Sequence, residues 1–519
     1  MKKLRKSQIK WIEKTVANSR RYKAVFYNRV LFCILLLIFQ VVGFFLLVDL
    51  LGRYGVFLQL FVSFFAVLFV LHLISRTDAP PSKAAWIILI LSIPVLGIVA
   101  YLFYGNGWST KRILKCYEKS KSELPAPKNE NRYIPCDIRR EALCKVLEKE
   151  GFPVYKGQVT YFKTGEQLFE SMCEAIEKAE KFILIEYFII AGGEAWGRML
   201  KLLLTKAEQG VKVKIVYDDF GSVFVLPLKY DRYLEGLHEN IECLCFNKIN
   251  PIFTLQMNHR DHRKMLVVDG VVAYTGGLNI ADEYIDKKRR FGYWKDTGVR
   301  VTGGAVASFT RAFFGLWKTF KDENASLDGY FPALEGEVET GFVQPYDDCP
   351  LDRERVGEGV YLDLIERAEK RLYITTPYLL LDDLLRSALI RAAKRGVDIR
   401  IVTPAIPDKK TVYALTRANY EALLKVGVKI YEYTPGFIHA KSVLADDCAV
   451  VGTINFDFRS LYHHFENAVY FSTTSAILAL LEDFEETFSV SKEQTLSMQK
   501  RNPFYRIFVS LLRLIEPLL

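Results

Sequence analysis

The sequence predicts a duplicated α/β protein: two α/β sandwich halves packed face to face about a pseudo-twofold axis, preceded by an α-helical membrane region. Three observations carry this expectation. One unusual pattern, H-x-K-x4-D with a Gly-x-x-Asn tail, occurs twice. The segments leading into each copy repeat one another. Three long apolar runs precede the first repeat.

The first copy is His262, Lys264 and Asp269, then Gly276-Gly277-Leu278-Asn279; the second is His439, Lys441 and Asp446, then Gly452-Thr453-Ile454-Asn455. Only seven histidines occur in the chain, and two of them head this pattern, which marks a duplicated half-site. In an extended segment, residues two apart share a face, so each His projects beside its Lys. The apolar runs between Lys and Asp read as buried strands. Asp269-Gly270 and Asp446-Asp447 are turn signals, and Val271 to Thr275 and Cys448 to Val451 read as return strands. The second hairpin is one residue shorter. Two imidazoles and two ammoniums meeting in one cleft fit a phosphodiester. The lysines stabilise the equatorial oxygens, one histidine attacks phosphorus, and the other protonates the leaving oxygen. Such chemistry requires no metal or other cofactor, because the lysines supply the positive charge.

These paired motifs resemble the signatures of the phospholipase D superfamily, and the whole chain is similar to the bacterial cardiolipin synthases within it. The resemblance implies two phospholipase D-like halves with the histidines at their interface. It makes His262 the nucleophile that forms a phosphohistidine and His439 the general acid, then base. It assigns phosphate binding to Lys264, Lys441, Asn279 and Asn455, with Gly277 and Thr453 beside them in the tails. Asp269 and Asp446 are grouped with the catalytic set, in a structural or orienting role. The implied reaction moves a phosphatidyl group between two phosphatidylglycerol molecules, giving cardiolipin and glycerol. Transfer to water or another alcohol, and a non-catalytic scaffold binding anionic lipid, are the alternatives.

Composition agrees with a membrane protein. Half the residues are hydrophobic, and the net charge of +10 favours a polyanionic neighbour. Nine cysteines are scattered without CxxC pairs or zinc spacing, so a disulfide framework and a metal centre are not expected. Residues 1–29 are basic, and the apolar runs Val30 to Leu51, Gly55 to Ser75 and Ala84 to Tyr104 follow, each about the length that crosses a bilayer. These runs argue against a nucleic-acid partner and for a multi-pass protein of the cell membrane that handles anionic lipid. Basic residues flank them on both sides, so the charge signals disagree about orientation. A re-entrant hairpin, either within 30–75 or in the third run, would reconcile them. The segment containing Trp86, Pro94, Gly97 and Tyr104 is similar to the N-terminal membrane segment of cardiolipin synthases.

The expected organisation is 1–29 basic, 30–105 membrane-embedded helices, 106–135 linker, 136–325 first half, 326–490 second half and 491–519 an amphipathic C-terminal segment. Within the halves, Ile176 to Lys181 matches Ile365 to Lys370, and Lys206 to Val216 matches Ala392 to Val402. Each half reads helix, strand, helix, glycine stop, strand, hairpin, with Gly210 and Gly396 at helix C-caps. Glu186 and Tyr378, near the ends of the first strands, are candidates for a headgroup pocket. Glu466 resembles an acidic position that orients the opposite half's histidine. His259, three residues before His262, reads either as a group that helps orient the site or as a plain polar loop residue. His463 and His464 are adjacent on a strand and would face opposite ways, which argues against a joint metal site. The oligomeric state is not legible.

Overall fold

The computed structural model describes residues 55–76, 80–104, 108–125, 138–248, 259–332, 341–352, 354–499 and 502–516, with single positions between 38 and 45. The basic segment 1–29 lies outside the described residues, as does the first apolar run apart from those positions.

The first half supplies β1 (Gln158–Phe162), β2 (Phe182–Tyr187), β3 (Lys212–Asp218), β4 (Ile241–Phe246), β5 (Arg260–Asp261), β6 (Lys264–Val268), β7 (Val272–Gly276), β8 (Tyr293–Lys295) and β9 (Gly298–Thr302). The second supplies β10 (Val343–Asp348), β11 (Arg371–Thr375), β12 (Asp398–Pro404), β13 (Lys429–Tyr433), β14 (Gly436–Ile438), β15 (Ser442–Ala445), β16 (Cys448–Gly452), β17 (His464–Phe471) and β18 (Ser491–Gln494). The sheet orders are β1-β9-β7-β6-β2-β3-β4 and β10-β17-β16-β15-β11-β12-β13-β18, so the first seven strands correspond one for one. In each sheet a parallel block (β2-β3-β4, β11-β12-β13) adjoins antiparallel hairpins. β2 and β11 lie inside their sheets between covered faces. That explains their near-continuous apolar runs, Phe182 to Ile185 and Leu372 to Ile374.

Gly210 and Gly396 follow the helices Glu194–Glu208 and Asp383–Lys394 at φ +92° and +93°, the left-handed stop read from the sequence. Helices Gly165–Glu177 and Glu194–Glu208 cover the outer face of the first sheet. Val356–Arg367, Asp383–Lys394 and Lys410–Leu424 cover that of the second. Between the inner faces lie Val306–Phe320 and Thr474–Ser489, each following the last motif strand of its half. Their Phe313, Trp317, Phe484 and Phe488 share one core with residues of both sheets. The two halves are one folding unit, because neither inner face is buried without the other.

Three elements differ from expectation. Part of the expected linker, Trp108–Ser122, is a helix docked on Val306–Phe320. Its polar composition hides a narrow buried stripe that includes Tyr117. Residues 126–137 lie outside the described residues. The helix Ile138–Lys149, counted with the first half, sends Leu143, Cys144 and Leu147 into the core of the second. The Gln344 side-chain amide donates to the carbonyls of Cys144 and Phe152 at 3.1 and 2.7 Å. The second sheet continues past residue 490, since β18 pairs with β13.

Helix Gly55–Ile74 covers most of the second apolar run. The third, expected as one helix of about 20 residues, is instead two, Pro80–Ser92 and Pro94–Tyr104. The break falls where Pro94 can donate no helix hydrogen bond. The arms fold back so tightly that a Cβ on Gly97 would lie 2.6 Å from the Ile90 Cα. Tyr101 stacks edge-on against Phe69 and Trp86, tying all three helices together. Among the described residues, no helix is long and apolar enough to cross a membrane. At the other end, Pro503–Ile515 is capped by the Asn502 side chain, which accepts from Tyr505 N at 2.7 Å. Val509 packs on Leu380, Val412 and Leu415, and the opposite stripe (Phe504, Ile507, Phe508, Leu511) is exposed.

Candidate active site

Each H-x-K motif is launched from a short ladder with the other half. β5 runs parallel to the start of β17, pairing Asp261 with Phe465, and β14 runs parallel to β8, pairing Ile438 with Lys295. One more hydrogen bond extends each ladder: His262 N donates to the Phe465 carbonyl at 2.9 Å, and His439 N to the Lys295 carbonyl at 2.7 Å. The residue after each of those carbonyls is acidic. Glu466 therefore meets His262, its oxygens 2.8 and 2.9 Å from Nδ1, and Asp296 Oδ2 meets His439 Nδ1 at 2.7 Å. The bracing is crossed, so each imidazole is held by a carboxylate from the opposite half. With its Nδ1 proton donated to that carboxylate, each ring keeps the Nε2 lone pair for chemistry.

The lysines stand beside the histidines as the i, i+2 spacing requires. Lys264 Nζ donates to the His262 carbonyl at 2.6 Å, and Lys441 Nζ lies 2.8 Å from the His439 ring nitrogens. Both pairs are buried. Burial, reinforced by Lys264, His464, Lys441 and His439, pushes His262 well below the usual imidazole range. Burial and Lys441 push His439 down to about 4, against the pull of Asp296. Burial lowers Lys264 to about 8 and Lys441 to about 7, with Lys264 adding to the effect on Lys441. Burial also drives Glu466 well up, opposed by Lys264. Each of these shifts on His and Lys shows the cationic form disfavoured by burial, a cost that a bound phosphodiester anion would relieve.

A pH dependence follows. A lysine with a lowered folded pKa keeps its charge below that value and loses it above. Lipid binding is expected to weaken as pH rises from 7 to 9, seen as a rising KM for phosphodiester substrate in micelles of fixed composition. Between about 7 and 10.5 the unfolded chain binds more protons through these lysines than the folded chain does. The free protein should therefore gain stability with pH across that window, measured by denaturant midpoints. A KM that does not change with pH would contradict the role given to the lysines.

The remaining candidates separate. Asn279 is buried and tied, accepting from Ile189 N at 3.1 Å and donating to the Tyr284 hydroxyl at 2.7 Å. Asn455 is buried with its Oδ1 unpartnered. Gly277 and Thr453 shape the braces. A Cβ at 277 would overlap the Asp296 carboxylate and crowd the His439 carbonyl oxygen at 2.8 Å. At the matching position in the second half, the Thr453 hydroxyl donates to Glu466. Tyr378 is half-buried, its hydroxyl donating to Asp408 at 2.6 Å and its ring 6.4 Å from Phe437.

Two expectations are corrected. Asp269 and Asp446 stand at the far ends of the hairpins, each at φ +54°. Asp269 accepts from the amides of Glu180, Lys181 and Phe182 at 2.7–2.8 Å, and Asp446 from Glu369, Lys370 and Arg371 at 2.9–3.0 Å. They clasp the hairpin turn to the start of the neighbouring strand, a structural role, and stand apart from the catalytic set they were grouped with. Glu186 does not line a headgroup pocket: its side chain is fully buried and pairs with Arg263 Nε at 2.6 Å.

Sequence reasoning missed Asp296, although it stands in register with Glu466. Asp296-x-Gly298-Val299 aligns with Glu466-x-Ala468-Val469, and Gly298 and Ala468 occupy matching ladder positions. It also missed the aromatic wall of His439, whose ring has Tyr284, Trp294 and Phe437 at 5.4, 5.5 and 6.0 Å; beside the other histidine, Phe188 lies 5.0 Å from the His262 ring. His464 lies 5.4 Å from the His262 ring, while His259 meets the His463 carbonyl at 3.2 Å instead.

Two such half-sites on matching sheets define a duplicated phospholipase D-like protein. A family model described as "Cardiolipin synthase, PLD-like domain" matches residues 172–294 and 361–488, one match in each half. A model of the phospholipase D-nuclease N-terminal region matches residues 62–106. The chain belongs to the cardiolipin synthase family. It is 33% identical over 468 residues to a cardiolipin synthase of Geobacillus kaustophilus, covering 88% of this chain and 92% of that one. It is 33% identical to cardiolipin synthase 2 of Bacillus anthracis (85% and 87% covered) and 42% identical to an uncharacterized protein of Streptococcus mutans (87% and 99% covered). The phosphatidylserine synthase structure of Haemophilus influenzae matches in fold, with TM-score 0.55 at 16% identity, covering 72% of this chain and 99% of that one.

Proposed function

We propose that this chain is a membrane-bound cardiolipin synthase that works through a phosphohistidine on His262. The crossed bracing carries the reading: each half holds the other's histidine by its Nδ1 and leaves Nε2 for chemistry, with Lys264 beside one ring and Lys441 against the other. His262 Nε2 attacks phosphorus of one phosphatidylglycerol while Lys264 and Lys441 hold the non-bridging oxygens. The bond to the headgroup glycerol breaks, and His439 gives that oxygen its proton. His439, now neutral, takes the proton from a glycerol hydroxyl of a second phosphatidylglycerol. That oxygen attacks phosphorus, the P–N bond breaks, and His262 is released with cardiolipin formed. His439 must begin as an imidazolium, and the phosphodiester anion beside it raises its proton affinity from the low resting value.

Apolar surface supports a membrane setting for this reaction. Helix Gly55–Ile74 exposes Phe61, Phe64, Phe65, Leu68 and Leu71, and the folded-back pair exposes Ile88, Leu91 and Leu102. The C-terminal helix adds Phe504, Ile507, Phe508 and Leu511, spaced to form one stripe, with Arg506 and Arg513 on the same helix. A surface of this kind suits an enzyme whose donor and acceptor are both bilayer lipids. The aromatic walls around the histidines exclude water and favour an alcohol as acceptor.

Purified enzyme in phosphatidylglycerol vesicles tests the reading. Cardiolipin and free glycerol in equal amounts support it. Phosphatidic acid as the main product would make the protein a hydrolase.

A further inference from the structure

His464 has no part in the transfer described above, yet its side chain sits against the nucleophile. Its residue is 8% exposed, and neither ring nitrogen has a hydrogen-bond partner. β17 runs from His464 through Phe465 to Glu466, so His464 and Glu466 project to the same face, the one that meets His262. His262 Nδ1 lies 2.8 Å from Glu466 Oε1, and His464 Nδ1 lies 3.8 Å from the same oxygen. One ligand atom from each of the three residues falls within 4.8 Å of the others. Two nitrogens and an oxygen bound tetrahedrally at zinc distances are separated by roughly 3.3–3.5 Å. Small side-chain shifts would bring the set to that spacing.

We propose that His262, Glu466 and His464 form an inhibitory site for a borderline divalent cation of the zinc type, which switches the nucleophile off. The donor set of two imidazoles and one carboxylate selects such ions over magnesium or calcium, which prefer all-oxygen shells. Inhibition follows from the tautomer. A neutral imidazole has one lone pair, and if the metal takes it at Nδ1, the ring proton stays on Nε2. Nε2 then cannot attack phosphorus, and Glu466 is drawn from bracing the ring to ligating the ion. The site is one-sided. In the other half Trp294 stands where His464 stands, two residues before the bracing acid and 5.5 Å from His439, and an indole cannot ligate.

The test uses full-length enzyme in detergent micelles, with zinc as inhibitor and cobalt(II) as the spectroscopic probe. His464→Asn and His464→Gln are compared with wild type, each rate normalised to its own value in excess chelator. The wild type should be inhibited by zinc, recover on chelation, and develop the visible bands of tetrahedral cobalt, while at fixed melting temperature both variants resist zinc by at least about tenfold and lose the bands. Equal zinc sensitivity in wild type and variants, cobalt bands that survive both substitutions, or no cobalt bands in wild type would each overturn the proposal. The cobalt signal does not depend on turnover, so it reports on the site even if the protein transfers to a different acceptor.

Discussion

Alanine at His262 is expected to lower phosphatidyl transfer by at least about three orders of magnitude, and alanine at His439 to do the same, without loss of the folded state. The two rings act in series on one phosphorus, so the double variant should be no worse than either single one. A donor lipid whose headgroup is replaced by p-nitrophenol separates their roles, because that leaving group departs without an acid. On this donor His439→Ala should release one equivalent of nitrophenol and stop, since nothing then deprotonates the acceptor. His262→Ala should release none. Stopped-flow absorbance reads both outcomes. Steady turnover by either variant would contradict the assignment.

The second large effect lies in the residue between His262 and Lys264. Arg263 is fully buried and points away from the two histidines, into a pocket of carboxylates. Its Nε lies 2.6 Å from Glu186 and 3.4 Å from Asp261, and Nη1 lies 3.6 Å from Asp347. Burial works against its charge, but Glu186 and Asp261 win and hold its proton affinity above the usual value. Asp347 also receives Lys121 at 3.2 Å and the Tyr117 hydroxyl at 3.2 Å, both from the helix Trp108–Ser122. Removing one partner of a buried ion network leaves uncompensated charge, at about 3–5 kcal/mol. Arg263→Met is therefore expected to destabilise the fold by that amount in chemical denaturation, an effect many surface Arg→Met changes would not produce. A loss below about 1 kcal/mol would mean that the network carries little of the stability.

Much of this architecture was legible because duplication writes it twice. The glycine stops at 210 and 396, the apolar parallel strands and the H-x-K spacing all follow from local geometry, and local geometry survives in sequence. What escaped depends on register between halves. Asp296 braces His439 only because β8 pairs with β14, and the one sign of it in the sequence is the short match of Asp296-x-Gly298-Val299 to Glu466-x-Ala468-Val469. Glu466 was legible by resemblance, whereas its counterpart on the other side was not. The Asp of each motif was grouped with the catalytic residues because it recurs at a fixed spacing from each histidine, but spacing does not require proximity, and the strand Lys264–Val268 carries Asp269 to the opposite end of the hairpin. The helix Trp108–Ser122 was hidden by its charge, since only one stripe of it is buried. In the third apolar run, length argued for a crossing, but Pro94 broke the helix and Gly97 let the arms close.

The most direct test of the account is to trap the covalent intermediate. His439→Ala would be mixed with the nitrophenyl donor, digested at alkaline pH where phosphohistidine is stable, and mapped by mass spectrometry. A phosphatidyl adduct on the peptide carrying His262, absent from the His262→Ala, His439→Ala double variant, is the predicted result. An adduct elsewhere, or none despite release of nitrophenol, would contradict the two-histidine transfer.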